Sequence, residues 1–159
     1  MKICHISDVH IRNYRYHEEY KAVFDGLYEK LKEIKPDIIV NTGDTAHTKL
    51  QLSPSYFDMT AKFFDNLANI APLHVILGNH DLNLRNISKI DAITPIVEAL
   101  DNKNIHFHKF SKEVDLGNGF VLNVMSIVDE DEWIDPTDPD KINIALFHGS
   151  VAGVETDTG

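Results

Sequence analysis

The chain has 159 residues, of which 43% are hydrophobic and 25% charged, a balance typical of one globular domain and unlike that of disordered or collagen-like chains. Its formal net charge of −10 argues against a domain that grips nucleic acid by bulk positive charge. The single cysteine, Cys4, excludes an intrachain disulfide and fits a reducing compartment. Without a signal peptide or an apolar run of about 20 residues, we expect a cytoplasmic protein that does not enter a membrane.

Short apolar runs alternate with helical patterns in the first half of the chain. Apolar residues at helical spacing indicate the first helix, and Pro36 ends it. Ser53 before Pro54 is a capping signal for the second helix. The predicted elements are a strand at Lys2–Ile6, a helix at Glu18–Lys35, a strand at Ile38–Val40 and a helix from Pro54 to about Ile70.

The second half continues the alternation with more strands. Gly117-Asn118-Gly119 is interpreted as a turn, and the acidic segment Asp129–Asp140, with two prolines, as a solvated loop. This succession indicates an α/β sandwich. The predicted elements are strands at Leu73–Leu77, Ile105–Phe110, Phe120–Val128 and Ile142–Phe147, and a helix at about Ile90–Leu100.

Four of the predicted strands are followed by polar groups that can bind a metal. Because the carboxyl ends of strands converge in open α/β sheets, we expect these four loops to meet. Carboxylates, an amide oxygen and imidazoles together suit borderline divalent ions, and a carboxylate from a central strand can bridge two of them. Asp44 is the expected bridge. The full set is Asp8, His10, Asp44, Asn79 and His148.

These motifs differ in how specific they are. Asp-x-His and Gly-Asp arise often by chance, whereas the string Gly78-Asn79-His80-Asp81 is expected in roughly one chain of this length per thousand. The order of all four motifs, each after an apolar run, strengthens the signal.

Asp8-x-His10, Gly43-Asp44, Gly78-Asn79-His80-Asp81 and His148-Gly149 resemble the ordered motifs of calcineurin-like metallophosphoesterases. His47, three residues after Asp44, and Ser53-Pro54 resemble one branch, which holds the SbcD exonucleases, the phage recombination endonuclease subunit and the meiotic-recombination nuclease MRE-eleven. The resemblance implies an αββα sandwich over residues 1–159, with central mixed β-sheets flanked by helices. It also implies a Mn-dependent DNA exonuclease or endonuclease of repair and recombination, in the host cytoplasm if phage-encoded, with a nucleoid-associated function.

One motif of the family is missing. The family ends its phosphoesterase domain with Gly-His-x-His, which supplies one imidazole to each metal. We therefore expect the domain at 1–159 to be incomplete at its C-terminal end, and this piece alone to bind metal weakly and turn over poorly. His106-Phe107-His108 has the internal spacing of the missing motif, but it lacks the glycine and precedes the strand at Phe120, so we interpret it as strand periphery.

The resemblance implies two divalent ions, foremost Mn, with Fe, Zn and Mg as alternatives. Asp8, His10 and Asp44 would hold the first ion, and Asp44, Asn79 and His148 the second. Such ions lower the pKa of bound water to about 7, which makes hydroxide available to attack a phosphodiester.

Three further residues are implied to be catalytic. His80 would lie beside the scissile phosphate as proton donor or transition-state stabiliser. Asp81 would hold His80 in one tautomer, and His47 would contact the substrate or protonate the leaving oxygen. Three arginines follow the motifs closely and are candidates for binding the substrate phosphate: Arg12, Arg15 and Arg85.

The partners implied by the resemblance are DNA, an SMC-like ATPase subunit of the SbcC or phage recombination endonuclease type, and a second copy in the complete protein. Two alternatives stay open: a phosphomonoesterase or small-molecule phosphodiesterase of the same superfamily, or a catalytically incomplete fragment for dimerisation or partner binding. Outside the motifs, we interpret His5 as a sheet residue and Trp133 as packing over the sheet edge.

Overall fold

A computed structural model describes residues 1–48, 51–151 and 153, which form two sheets and three α-helices. A short 3-10 turn at Glu130–Glu132 precedes the last strand. In chain order the elements are β1 (Ile3–Ile6), α1 (His17–Ile34), β2 (Ile38–Asn41), α2 (Pro54–Ala68), β3 (Leu73–Val75), α3 (Thr94–Leu100), β4 (Ile105–Phe107), β5 (Lys112–Gly117), β6 (Phe120–Met125) and β7 (Ile142–Phe147).

The first sheet is entirely parallel, in the order β1-β2-β3-β4. Its outer face is covered by α1, α2 and α3, and the core there contains Phe24, Phe63 and Phe64 from the helices with Ile39 and Leu73 from the strands. Burial on both faces explains why β2 is a continuous apolar run without alternation.

The second sheet packs on the inner face of the first. In the order β5-β6-β7, β5 runs antiparallel and β7 parallel to β6. Ile38, Val40 and Ile76 of the first layer pack against Leu122 and Leu146 of the second. The carboxyl ends of β7 and β2 lie at the same end of the sandwich, since His148, just after β7, is 2.7 Å from the carbonyl oxygen of Thr42, just after β2.

The predicted α/β sandwich is confirmed, and its first two helices begin and end within one or two residues of the predicted bounds. The predicted cap of α2 is also present, since Ser53 Oγ accepts a 3.1 Å hydrogen bond from the Tyr56 N–H. The first sheet is purely parallel, so only the second is mixed as expected.

Strand β5 and helix α3 differ from prediction, and the strands predicted to end at Leu77, Phe110 and Val128 end at Val75, Phe107 and Met125. Strand β5 was missed because its sequence, KEVDLG, alternates charged residues with Val114 and Leu116, and only these two side chains pack on the inner core. Helix α3 begins at Thr94, because Pro95 occupies its first turn and the Asp91 side chain accepts hydrogen bonds from the N–H groups of Ile93 and Thr94.

Candidate metal centre

The candidate site is formed by the loops that follow β1, β2, β3 and β7. The first three strands are parallel, so their carboxyl ends lie at one edge of the first sheet. Backbone hydrogen bonds join the first two loops, from Asp8 N to Gly43 O (3.1 Å) and from His10 N to Asp44 O (3.0 Å). The loop after β7 reaches the same place, where His148 lies 3.5 Å from Asp44.

Three side chains of the site are carried by backbone in the left-handed region. Asp8, His10 and Asp44 have φ values of 55°, 51° and 52°. Aspartate and histidine enter this region more readily than most residues, yet it still costs on the order of 1–3 kcal/mol, and such strain is concentrated at functional sites. The hydrogen bonds between the two loops hold this conformation in place.

Asp44 lies at the middle of the site, with its two carboxylate oxygens facing different histidines. Oδ2 is 3.7 Å from Nε2 of His10, and Oδ1 is 3.5 Å from Nε2 of His148. Oδ1 also accepts a 2.7 Å hydrogen bond from the backbone N–H of His80. Because Asp44 is only 3% exposed, a buried carboxylate stands between two imidazoles.

On one side of Asp44, His148 is held in a defined orientation. Its Nδ1 lies 2.7 Å from the carbonyl oxygen of Thr42, and since a carbonyl can only accept, Nδ1 carries the hydrogen. Nε2 then presents its lone pair 3.1 Å from Asn79 Oδ1. A cavity of about 450 Å³ opens here, and its lining includes His5, Asp8, Asp44, Asn79, Phe147 and His148.

On the other side of Asp44, three histidines cluster. Ligand atoms of His10, His80 and Asp44 lie within 4.8 Å of one another, and Asp8 Oδ1 is 3.7 Å from His10 Nε2. Nδ1 of His80 donates a 2.9 Å hydrogen bond to the carbonyl of His47, which leaves Nε2 of His80 as an acceptor.

The chemistry of these donors fits divalent cations. The imidazole–carboxylate separations of 3.5 to 3.7 Å exceed the roughly 3.2 Å limit of a good hydrogen bond. Two ligands that bind one ion at about 2.0–2.2 Å lie roughly 3–4 Å apart, as these atoms do. On the His148 side, the lone pairs of a nitrogen, an amide oxygen and a carboxylate oxygen point toward one region, which a cation would stabilise.

The predicted role of Asp81 is wrong. Its carboxylate accepts hydrogen bonds from the backbone N–H groups of Ala46 (2.8 Å) and Gly78 (2.9 Å), whereas Nδ1 of His80 is bonded to the carbonyl of His47. Burial raises the pKa of Asp81 to about 6, against the lowering effect of these N–H groups. Asp81 therefore joins the loops after β2 and β3 and does not orient His80.

His47 lies at the edge of the cluster, with its ring centroid 5.8 Å from that of His10. Burial, followed by the charge of Arg12 and the neighbouring histidines, lowers the pKa of His47. The charge of Arg12 therefore contributes to the electrostatics around His47. For Arg15 and Arg85, the contacts of the described residues give no such connection, and Arg85 lies in an exposed turn where its N–H donates to Asn83.

Three residues near the site were missed or underestimated from sequence: His5, Asn41 and Thr42. Nε2 of His5 lies 2.8 Å from Thr42 Oγ1, and its side chain lines the cavity. Asn41 is fully buried at the end of an otherwise apolar strand. A polar residue at a position where the strand pattern requires burial was the available signal.

The remaining predictions on single residues have mixed outcomes. His106-Phe107-His108 lies at the strand periphery as predicted, since β4 is an edge strand that ends at Phe107. His108 is nevertheless buried, at 4% exposed, and its Nε2 lies 2.9 Å from Nδ1 of His74. Trp133 packs on the edge strand as predicted, with its ring perpendicular to that of Phe147 at 5.3 Å. None of the helices in the described part of the chain combines the length and apolar character needed to cross a bilayer.

The whole of residues 1–159 is matched by the family model for calcineurin-like phosphoesterase. Over 99% of its length the chain is 40% identical to the uncharacterized protein R555 of Acanthamoeba polyphaga mimivirus, of which it covers 13%. Over 73% of its length it is 25% identical to the DNA double-strand break repair protein Mre11 of Methanocaldococcus jannaschii, of which it covers 37%. Among solved structures, the Pseudomonas putida nuclease MPE has a TM-score of 0.44 and 22% identity, with 76% of this chain and 52% of that chain covered. The chain thus spans well under half the length of these two curated relatives.

Proposed function

Because the chain belongs to the calcineurin-like phosphoesterase family, we propose that it supplies the metal-binding centre of a hydrolase that cleaves phosphodiester bonds of DNA. The position of Asp44 carries this proposal. A buried carboxylate with one oxygen toward His10 and the other toward His148 has the geometry needed to bridge two ions.

Two divalent ions fit the donors on the two sides of Asp44. Asp8, His10 and Asp44 would hold one ion, and Asp44, Asn79 and His148 the other. When bound, such ions lower the pKa of water to about 7 and neutralise charge on the phosphate. Mn is the metal we propose, because the donors mix imidazole nitrogen with carboxylate and amide oxygen, and Fe, Zn and Mg are the alternatives to be compared.

We assign proton transfer to His80, whose ring is hydrogen-bonded to the backbone of His47. The hydrogen bond from His80 Nδ1 to the carbonyl of His47 fixes the tautomer and leaves Nε2 as the acceptor, and a ring nitrogen of His80 lies within 4.8 Å of ligand atoms of His10 and Asp44. Once Nε2 has taken up a proton from water, His80 can stabilise the phosphate or give that proton to the leaving oxygen. His47 contacts the substrate, and Arg12, whose charge acts on His47, binds a phosphate of the backbone.

Support for DNA as the substrate comes from the relative named DNA double-strand break repair protein Mre11. In the whole protein we propose an SMC-like ATPase as partner and a second copy of the chain as dimer mate. The acidic net charge is compatible with this assignment, because several of the carboxylates face cations and other chains can share the contacts with DNA.

The test is a substrate panel with this chain and Mn²⁺: labelled duplex DNA, bis-p-nitrophenyl phosphate and p-nitrophenyl phosphate. We expect slow cleavage of the two diesters that the Asp44→Asn variant loses. Preference for the monoester would favour a phosphomonoesterase. Absence of both metal binding and turnover would favour a fragment that only binds or dimerises.

A further inference from the structure

The peptide group between Thr42 and Gly43 is hydrogen-bonded at both ends. Its carbonyl oxygen accepts from Nδ1 of His148 at 2.7 Å, and its N–H donates to Oδ1 of Asn41 at 2.9 Å. Because a peptide group is planar and rigid, the partner of the N–H helps to set the direction in which the carbonyl points. The side chain of Asn41 and the ring of His148 are thus coupled through one rigid unit.

Asn41 is an unexpected residue in this place. It ends the apolar strand β2 and has no exposed surface. Its Nδ2 is buried without a hydrogen-bond partner among the described residues, and an unsatisfied buried donor costs about 1–3 kcal/mol. The residue is therefore suited to this position by its acceptor oxygen and not by its amino group.

We propose that Asn41 is a positioning residue for His148. By holding the Gly43 N–H, it directs the Thr42 carbonyl at Nδ1 of His148, which keeps the ring in the Nδ1–H form and its Nε2 lone pair toward Asn79 and Asp44. The consequence for metal binding rests on the proposed function, whereas the control of the His148 tautomer does not.

Other contacts of Thr42 do not replace this one. Its N–H donates to the Ile6 carbonyl at 3.0 Å, and its Oγ1 is bonded to His5 at 2.8 Å. Both contacts hold Thr42 itself, but neither touches the following peptide group. Only Asn41, among the described residues, is bonded to the N–H of that group.

The first test uses two isosteric variants of the metal-free chain. In Asn41→Thr the hydroxyl can still accept from the N–H two residues on, whereas Asn41→Val has the same shape and no acceptor. With ¹⁵N-labelled histidine, long-range ¹H–¹⁵N spectra at neutral pH identify which ring nitrogen of His148 carries the hydrogen. We expect the Nδ1–H form in the parent chain and in Asn41→Thr, and a mixture of both tautomers in Asn41→Val.

The second readout is Mn²⁺ binding by calorimetry. Removing a residue that orients a metal ligand typically weakens metal binding about 10–100-fold. We therefore expect Mn²⁺ affinity to fall by this factor in Asn41→Val and to stay close to the parent's in Asn41→Thr. If Asn41→Val does not fold, Asn41→Ser and Asn41→Ala provide the same comparison.

The outcomes separate the two proposals. If the His148 tautomer is unchanged in the variant without an acceptor, the role of Asn41 is overturned. The same holds if the tautomer shifts equally in the variant with an acceptor and the variant without one. If the tautomers behave as expected and the parent chain binds no Mn²⁺, the positioning role stands and the proposed function fails.

Discussion

The backbones of Gly43 and Gly78 are in direct contact. A Cβ atom built on Gly43 would lie 2.2 Å from the backbone nitrogen of Gly78, and Gly43 also has φ of 93°, which only glycine adopts readily. This contact is the physical reason for a glycine before Asp44 and another before Asn79. The loops after β2 and β3 can bring their metal-binding side chains together only because neither backbone carries a Cβ at the point of contact.

The first prediction concerns Gly78→Ala. The added Cβ would lie 2.2 Å from Asp44 Oδ1 and 2.3 Å from Asp44 N, so the two loops must separate. We expect the free energy of unfolding to fall by about 1–3 kcal/mol, as for other overpacked sites, and Mn²⁺ binding to be lost. Urea unfolding and calorimetry measure the two effects.

Gly26→Ala is the matched control for this variant. Gly26 lies in α1, where a Cβ would meet nothing within 4 Å. The same substitution should stabilise the chain there by up to about 1 kcal/mol and leave metal binding unchanged. Equal effects at the two positions would contradict the contact argument.

The second prediction concerns Asp44→Asn. The amide keeps an oxygen that can accept the 2.7 Å hydrogen bond from the His80 N–H, so the fold should survive. The negative charge between His10 and His148 is lost, so we expect Mn²⁺ affinity to fall more than about 100-fold. This is a larger loss than is typical when a residue that hydrogen-bonds to a metal ligand is removed. A variant that binds Mn²⁺ like the parent would show that Asp44 does not bridge.

The third prediction separates the two roles open to His80. We propose that His80 is a catalytic residue that touches the substrate. His80→Ala should then lower turnover about 10²–10⁴-fold and leave Mn²⁺ affinity nearly unchanged. Asp8→Ala should weaken Mn²⁺ binding instead. Because His80 lies within 4.8 Å of His10 and Asp44, the reverse pattern would make His80 the ligand in place of Asp8.

The position of the metal motifs could be predicted from the sequence because each motif follows an easily recognised apolar strand. Parallel strands then bring their carboxyl ends, and the motifs with them, to one edge of the sheet. The role of Asp81 could not be predicted, because a carboxylate beside a histidine in sequence has no fixed partner in space. In the structure the nearest donors to Asp81 are backbone N–H groups of two loops.

The same limit applies to Asn41, His74 and His108. Each is a polar residue within or next to an apolar run, and what it contacts depends on how strands pair. The pairing of His74 with His106 in register, and the bond from His74 to His108, join residues more than 30 positions apart. Such a contact cannot be predicted from a local sequence pattern.

The last prediction concerns acid stability and the buried pair His74 and His108. Burial lowers the pKa of His74 to about 4 and that of His108 to about 3, and the nearby Lys112 and the paired histidines add to the effect. In the unfolded chain the pKa of each imidazole is about 6.5. At pH values between the folded and unfolded pKa values, the unfolded chain binds more protons than the folded chain. The stabilisation contributed by the neutral pair is therefore full above about pH 6.5 and decreases as pH falls toward 4.

His108→Gln removes one of these titrations and should flatten the dependence, while His106→Gln, at an exposed position, should keep it. The quantity to compare is the free energy of unfolding from urea melts at pH 7.5, 6, 5 and 4 for the parent and both variants. Asp81 acts in the opposite direction over part of this range, because its raised pKa of about 6 makes the folded chain bind the extra proton, but this contribution is common to all three proteins and cancels in the difference. The gap between parent and His108→Gln should therefore narrow steadily toward acid pH. A gap that stays constant would mean that both imidazoles are already accessible to protons in the folded chain, and that the sandwich does not hold them neutral.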